Sequence, residues 1–317
     1  MNYRVGYWMP ATDAVFEVIR KNLPEGCELL TPSCGRVLDE VIPELDFLVA
    51  GKVPAAMLRR GNRLKLVMSP GAGTDGIDLE TASECGIPVA ATVCGNIDEV
   101  AEHTFLLMLA VNRNLIELDA AVRGGAWPMW SLRMKSYTLA GKSLGIVGLG
   151  RIGQAVARRA NSFGMNVSYF DLERKAGFRF LELDELLAVS DYVSLHVPLT
   201  ASTRGFLNAD RIAAMKPGAI LINTARGEVV DETALVCALA SGRLAGAGLD
   251  VFAQEPPERA NPLLKFSNVV LTPHVASGTV DSLRRKAAQY AENIRRVLAG
   301  REPIDGVQAQ PELLERS

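Results

Sequence analysis

At 317 residues the chain is long enough for about two domains of ordinary size. Thirty-four Lys and Arg against thirty-six Asp and Glu leave a formal charge of −2, which offers neither nucleic acid nor an anionic membrane a concentrated positive face. With 48% apolar and 22% charged residues the sequence can bury large cores and is not that of a disordered protein.

The amino terminus, MNYRVGYWMP, lacks the apolar stretch of a secretory signal. Short apolar runs follow at Arg4–Trp8, Cys27–Leu30, Asp46–Ala50, Lys65–Ser69 and Pro88–Ala90, with helix-length stretches such as Ala11–Asn22 between several of them. Strands interleaved with helices imply a parallel sheet covered on both faces. At Asn96-Ile97-Asp98-Glu99 the character changes, and a single apolar helix is expected from Glu99 to Arg123, stopped by Gly124-Gly125. Its densest segment, FLLMLAV at 105–111, is too short to cross a bilayer. Cys27, Cys34, Cys85, Cys94 and Cys237 form no C-x-x-C pair, which argues against a disulfide framework and a zinc site. A reducing, cytoplasmic location and no metal are therefore expected.

From Lys142 a second alternating series begins, with six strands in SLGIVGLG, NVSYFD, YVSLHVP, AILINTAR, AGAGLDVF and NVVLTPH, and a last helix from about Thr279 to Leu298. The expected fold class is α/β, with two doubly wound parallel-sheet domains. A dinucleotide-binding domain over 97–283 is inserted into a discontinuous domain made of 1–96 and 284–317.

The first strand of the second series runs into Gly148-Leu149-Gly150-Arg151-Ile152-Gly153 and then a helix. In that setting Gly148 permits the tight turn, Gly150 lets backbone approach a pyrophosphate, and Gly153 lets the helix pack on the strand. The helix would offer its free amino-terminal N–H groups to the pyrophosphate and stop at Gly164. Asp171, closing the next strand, stands where an acid grips a ribose 2′-hydroxyl, which favours NAD over NADP. Arg174 and Lys175, close behind, weaken that preference.

The three histidines can be sorted by position. His103 lies inside the apolar helix and suits packing, or its surface, better than catalysis. His196 closes a strand and could line the cofactor site. His274 follows a strand at a carboxyl edge, where α/β sheets place ligands, and is the candidate acid/base. Arg226, just after AILINTA, could hold a carboxylate and polarise a neighbouring carbonyl. Glu255, after LAGAGLDVF, could pair with His274 and raise its pKa, which suits a proton donor. Each has a plainer alternative, since an Arg after a strand is often a surface ion pair and a Glu before two prolines only a loop carboxylate.

Read together, GAGTDGID at 71–78, EVAEHTFLLML at 99–109, LAGKSLGIVGLGRIGQAVA at 139–157, KPGAILINTARGEVVDETAL at 216–235, AGAGLDVFAQEPP at 245–257 and NPLLKFSNVVLTPHVAS at 261–277 resemble the D-isomer-specific 2-hydroxyacid dehydrogenase family in order and over most of the chain. The resemblance implies a Rossmann domain binding NAD(H), inserted into a flavodoxin-like substrate domain. It carries the family's catalytic Arg onto Arg226, its Glu onto Glu255 and its acid/base His onto His274. Asp250 falls on the contact to the nicotinamide carboxamide, and Thr104, Pro198, Thr224 and Ala225 on positions lining the cofactor. Ala72 and Gly73 fall on the loop whose N–H groups receive the substrate carboxylate. The formate dehydrogenase branch has Gln where this chain has Glu255. Family dimers pack through the helix matching Glu99–Arg123, so a homodimer is expected.

The expected function is hydride transfer between NAD and a small D-2-hydroxy acid or its 2-keto acid. A phosphite dehydrogenase-like enzyme would share the catalytic trio. A co-repressor-like module that senses NAD is a further alternative, against which the lack of long polar tails argues.

Overall fold

The computed structural model describes residues 2–307. The first part of the chain alternates strands β1 (Tyr3–Trp8), β2 (Cys27–Leu30), β3 (Phe47–Ala50), β4 (Leu66–Met68) and β5 (Val89–Ala90) with helices α1 (Asp13–Asn22), α2 (Leu38–Val41), α3 (Ala55–Leu58) and α4 (Leu79–Glu84). Two helices follow, α5 (Ile97–Asn112) and α6 (Leu115–Arg123). The second series is β6 (Ser143–Val147), α7 (Arg151–Ser162), β7 (Asn166–Phe170), β8 (Arg179–Phe180), α8 (Leu183–Val189), β9 (Tyr192–Leu195), α9 (Ala209–Ala214), β10 (Ala219–Asn223), α10 (Glu232–Ala240), β11 (Leu244–Leu249) and β12 (Val269–Leu271). The long α11 (Val280–Leu298) and the short β13 (Gly306–Val307) complete it.

These elements form two units. One comprises the residues up to Asn96 together with those from Gly278 onward, and the other runs from Ile97 to Ser277. The second crossover thus falls at Ser277/Gly278 rather than at 283/284, because α11 belongs from its first turn to the discontinuous unit. Thr279 caps that turn by accepting from the Ser282 N–H, and the Ser282 hydroxyl donates to Gly95 O. Residues 308–317 of the expected outer domain lie outside the described residues.

The outer unit's sheet has the order β2-β1-β3-β4-β5, the flavodoxin-like arrangement, and β13 adds an antiparallel edge beside β5. Buried Phe47, Val49, Leu66 and Met68 face Phe16, Ile19, Tyr290 and Ile294 on one side. Leu48 and Val67 meet Leu38, Val41 and Leu58 on the other. Apolar side chains on both faces of a strand are what a doubly covered parallel sheet demands.

The inner unit's seven-stranded sheet has the order β8-β7-β6-β9-β10-β11-β12. It reverses direction of growth between β6 and β9, the crevice where dinucleotides bind in such sheets. The additional strand β8, two residues long, is too short for a periodic pattern to reveal. Phe180 holds it in place edge-on to Tyr169, with ring centroids 5.6 Å apart.

The single helix expected over Glu99–Arg123 is two helices. Asn114, at φ +51°, takes the left-handed conformation and turns the chain between α5 and α6. Asn is among the few residues that adopt this conformation readily, and its side chain donates to Ser136 Oγ at 3.1 Å. The helices differ in burial as well. Ala101, Phe105, Leu107 and Met108 of α5 belong to a core cluster, whereas α6 buries none of its residues.

Candidate active site

Strands β10, β11 and β12 run parallel in register, with Asn223 opposite Leu249 and Leu249 opposite Leu271. Their following loops therefore leave from one sheet edge, and those loops carry Arg226, Glu255 and His274. The approach of the first two loops is close. A Cβ on Gly227 would come within 1.8 Å of the Phe252 carbonyl carbon, so only glycine lets the Arg226 turn lie against the Glu255 turn.

His274 Nδ1 lies 2.7 Å from Glu255 Oε2, and Glu255 Oε1 accepts from the Phe252 N–H at 3.1 Å. The carboxylate is thus oriented by backbone on one oxygen and grips the imidazole with the other. The hydrogen bond to Glu255 holds the His274 pKa above its ordinary 6.5; burial and the Arg226 charge push the other way and are outweighed. For Glu255, burial alone would raise the pKa, but the His274 and Phe252 hydrogen bonds hold it below the usual range. The pair's contribution to stability follows from these directions. It is present above the unfolded carboxylate pKa and below that of free imidazole, and is lost as pH falls through the Glu255 value or rises through the His274 value.

Asp250 lies fully buried at the end of β11. Its Oδ1 accepts from the Thr272 hydroxyl at 2.5 Å and the Val275 N–H at 2.9 Å, and its Oδ2 from the Ala276 N–H at 2.8 Å. Thr104 is fully buried, its hydroxyl donating to Val100 O and lying 3.3 Å from that of Thr224. The Ala225 N–H donates to Asn223 Oδ1. His196 Nε2 lies 2.8 Å from Ser194 Oγ, and burial pushes its pKa down to about 4. It is neutral at physiological pH and can hydrogen-bond without delivering a proton as an acid. Pro198 is exposed in the loop after β9.

At the switch point Gly148 has φ +92°, and a Cβ there would meet His196 O at 2.6 Å. A Cβ on Gly153 would strike Gly148 O at 2.1 Å, whereas one on Gly150 would meet nothing within 4 Å. The turn is therefore closed on the protein side and open at Gly150, where the twelve-residue α7 begins, with Arg151 and Ile152 in its first turn. An open glycine at a helix amino terminus fits a pyrophosphate. Asp171 follows β7, and its Oδ2 accepts from the Leu149 N–H at 2.8 Å and from Lys175 Nζ at 3.0 Å. Its Oδ1 takes only a long 3.5 Å bond from the Glu173 N–H, which leaves that oxygen able to accept a further hydrogen bond. Burial would raise the Asp171 pKa, but the Lys175 and Leu149 hydrogen bonds lower it, keeping it ionised. These residues fit a dinucleotide.

The inner unit matches the family description "D-isomer specific 2-hydroxyacid dehydrogenase, NAD binding domain" over residues 105–276. A glyoxylate reductase of Thermofilum pendens is 44% identical over 265 residues, 81% of this chain and 78% of that protein. The chain belongs to the D-isomer-specific 2-hydroxyacid dehydrogenase family. A hydroxypyruvate reductase of Thermotoga maritima is 42% identical, over 81% of this chain and 86% of that one. The crystal structure of D-lactate dehydrogenase from Aquifex aeolicus, complexed with NAD and lactic acid, superposes with a TM-score of 0.82 at 31% identity, covering 93% of this chain and 96% of that chain. This member is an NAD-dependent oxidoreductase that interconverts a 2-hydroxy acid and its 2-keto acid.

In the outer unit the loop after β4 carries Ala72 and Gly73. Ser69 Oγ donates to Gly73 O at 2.5 Å and shapes the loop from inside, while the Ala72 and Gly73 N–H groups have no acceptor among the described residues. Sequence reasoning missed Asn96, which is buried beside Gly71 with a side-chain Oδ1 that has no partner among the described residues. Nothing in the sequence marks it beyond its place in a helix-start signal. It missed also that His103 reaches Thr272, because the two are 169 positions apart.

Replacing Glu255 by Gln removes the charge that favours imidazolium. An NMR titration should then place the His274 midpoint above 6.5 in the wild type and lower in Glu255→Gln. Equal midpoints would show that Glu255 does not govern His274.

Proposed function

We propose that this protein reduces a small 2-keto acid of the glyoxylate or hydroxypyruvate class to its D-2-hydroxy acid, with His274 as general acid, Glu255 as its orienting carboxylate and Arg226 as the anchor of the substrate. The observation that carries the reading is the 2.7 Å pair between His274 and Glu255 within the field of Arg226, whose charge acts on both. Relatives named glyoxylate reductase and hydroxypyruvate reductase support the substrate class.

With Nδ1 engaged by Glu255, the proton that His274 delivers leaves from Nε2, and the ring remains hydrogen-bonded to the carboxylate afterwards. The Arg226 guanidinium holds the substrate carboxylate and polarises the adjacent carbonyl, as its planar array of donors permits. The resemblance assigns the N–H groups of Ala72 and Gly73, on the loop after β4, to binding of a substrate carboxylate. NADH, when bound, supplies the hydride to the keto carbon. Gly148, Gly150, Arg151, Ile152 and Gly153 would hold its pyrophosphate and Asp171 a ribose hydroxyl, and the resemblance carries the carboxamide contact onto Asp250. Thr104, His196, Pro198, Thr224 and Ala225 would line its path. In the oxidative direction His274 accepts the proton, so one group serves both directions.

The reading includes a cytoplasmic homodimer. No helix among the described residues is long and apolar enough to cross a membrane, and the five cysteines are free. Leu106, Leu115, Ile116, Val122, Trp127 and Trp130 are exposed along α5, α6 and the loop that follows, a run of apolar surface that a second copy would cover.

Oxidation of NADH followed at 340 nm tests the reaction, with glyoxylate, hydroxypyruvate, pyruvate, phenylpyruvate and 3-phosphohydroxypyruvate as substrates. Glyoxylate or hydroxypyruvate should turn over fastest, and His274→Ala should lower kcat by roughly 10²–10⁴-fold while NADH binding survives. Tight NADH binding without turnover on any of these acids would overturn the reading in favour of a binding module. Sedimentation equilibrium should give a dimer for the wild type and a monomer for Ile116→Glu; a monomeric wild type would refute the assembly.

A further inference from the structure

His103 is a part-buried histidine that the reaction as described does not use. It projects from α5, and its ring is 11% exposed. Helix α5 can approach the sheet because β11 is lined by glycine: a Cβ on Gly248 would meet the Leu107 Cβ at 2.8 Å, and one on Gly246 would meet Val111 at the same distance. The AGAGL segment of β11 thus brings His103 Nε2 to 2.9 Å from Thr272 Oγ1 and 3.5 Å from Asp250 Oδ1.

The direction of these hydrogen bonds is determined by counting protons. Thr272 has one hydroxyl hydrogen, and it is donated to Asp250 Oδ1. The Thr272 oxygen can therefore only accept from His103, so Nε2 carries the hydrogen. The chain runs from His103 Nε2–H to the Thr272 hydroxyl to the Asp250 carboxylate. That carboxylate in turn receives the N–H groups of Val275 and Ala276, the two residues that follow His274. The His274 N–H itself donates to the Asp250 main-chain oxygen at 2.7 Å. His274 stands at φ +53°, a left-handed conformation that is unfavourable for a non-glycine residue. A turn of this kind persists only when its surroundings hold it.

We propose that His103 is a positioning residue for the proton transfer, fixing through Thr272 and Asp250 the left-handed turn that presents His274 to the substrate. The inference rests on His274 being the acid/base group. The charged groups facing His274 are Glu255, Arg226 and Asp250. Of these, Asp250 connects it to α5.

The test compares steady-state turnover of His103→Leu, His103→Gln, Thr272→Val and the double variant His103→Leu/Thr272→Val with the wild type. His103→Leu and Thr272→Val should each lower kcat about tenfold or more, with the keto-acid KM held within about twofold, as expected when a reacting group is misplaced but binding is not lost. The double variant should be no slower than the slower single one, since both break the same chain. His103→Gln keeps an N–H donor and should recover most of the lost kcat. Full kcat in His103→Leu, an equal loss in His103→Gln, or single effects that multiply in the double variant would each overturn the proposal. If His103→Leu does not fold, Thr272→Val against Thr272→Ser reads the same chain, and equal losses in those two overturn it. An inactive wild type, or an unimpaired His274→Ala, would instead refute the underlying assignment of His274.

Discussion

The proposed chemistry depends on a carboxylate and an imidazole held 2.7 Å apart at one edge of a parallel sheet. Neither group is deeply buried, so the pair is not a large source of stability. Its value is in protonation: a carboxylate that stays ionised keeps the imidazole protonated to a higher pH than it would reach alone. That requires Glu255 to face His274 and nothing else on one oxygen, which the Phe252 N–H secures by occupying the other.

Close backbone approach underlies this arrangement at several points. Gly227 lets the loop after β10 lie on the loop after β11, and Gly246 and Gly248 let α5 descend onto β11. Gly148 and Gly153 close the turn at the switch point, while Gly150 leaves it open to a ligand. In each closed position a methyl group would meet backbone or a packed core side chain. These contacts are rigid, so even Gly→Ala would force whole segments apart.

Much of this was legible in the sequence. The strand, glycine turn, helix and following acid around Gly148–Asp171 are local and periodic, and they read directly as a dinucleotide-binding unit. Arg226, Glu255 and His274 were each legible as residues that follow a strand, His274 at a carboxyl edge, but that their loops leave from one sheet edge depends on the parallel register of β10, β11 and β12. What stayed hidden depended on partners distant in the chain or on single backbone angles. The break at Asn114 is one left-handed residue inside an otherwise apolar helical pattern. The pairing of β8 rests on two residues, and the Lys175 bond to Asp171 on a side-chain rotamer. His103 read as a packing or helix-surface residue because its own helix is apolar; its partner, Thr272, is reached only once β12 is placed beside β11.

The most direct test of the paired acid/base is the pH dependence of kcat/KM measured in both directions on the wild-type enzyme. Keto-acid reduction needs protonated His274 and should fall as pH rises through a value above 6.5, while hydroxy-acid oxidation needs the neutral ring and should rise through the same value. Profiles that share one sign, or that show no ionisation above 6.5 in either direction, would contradict the account.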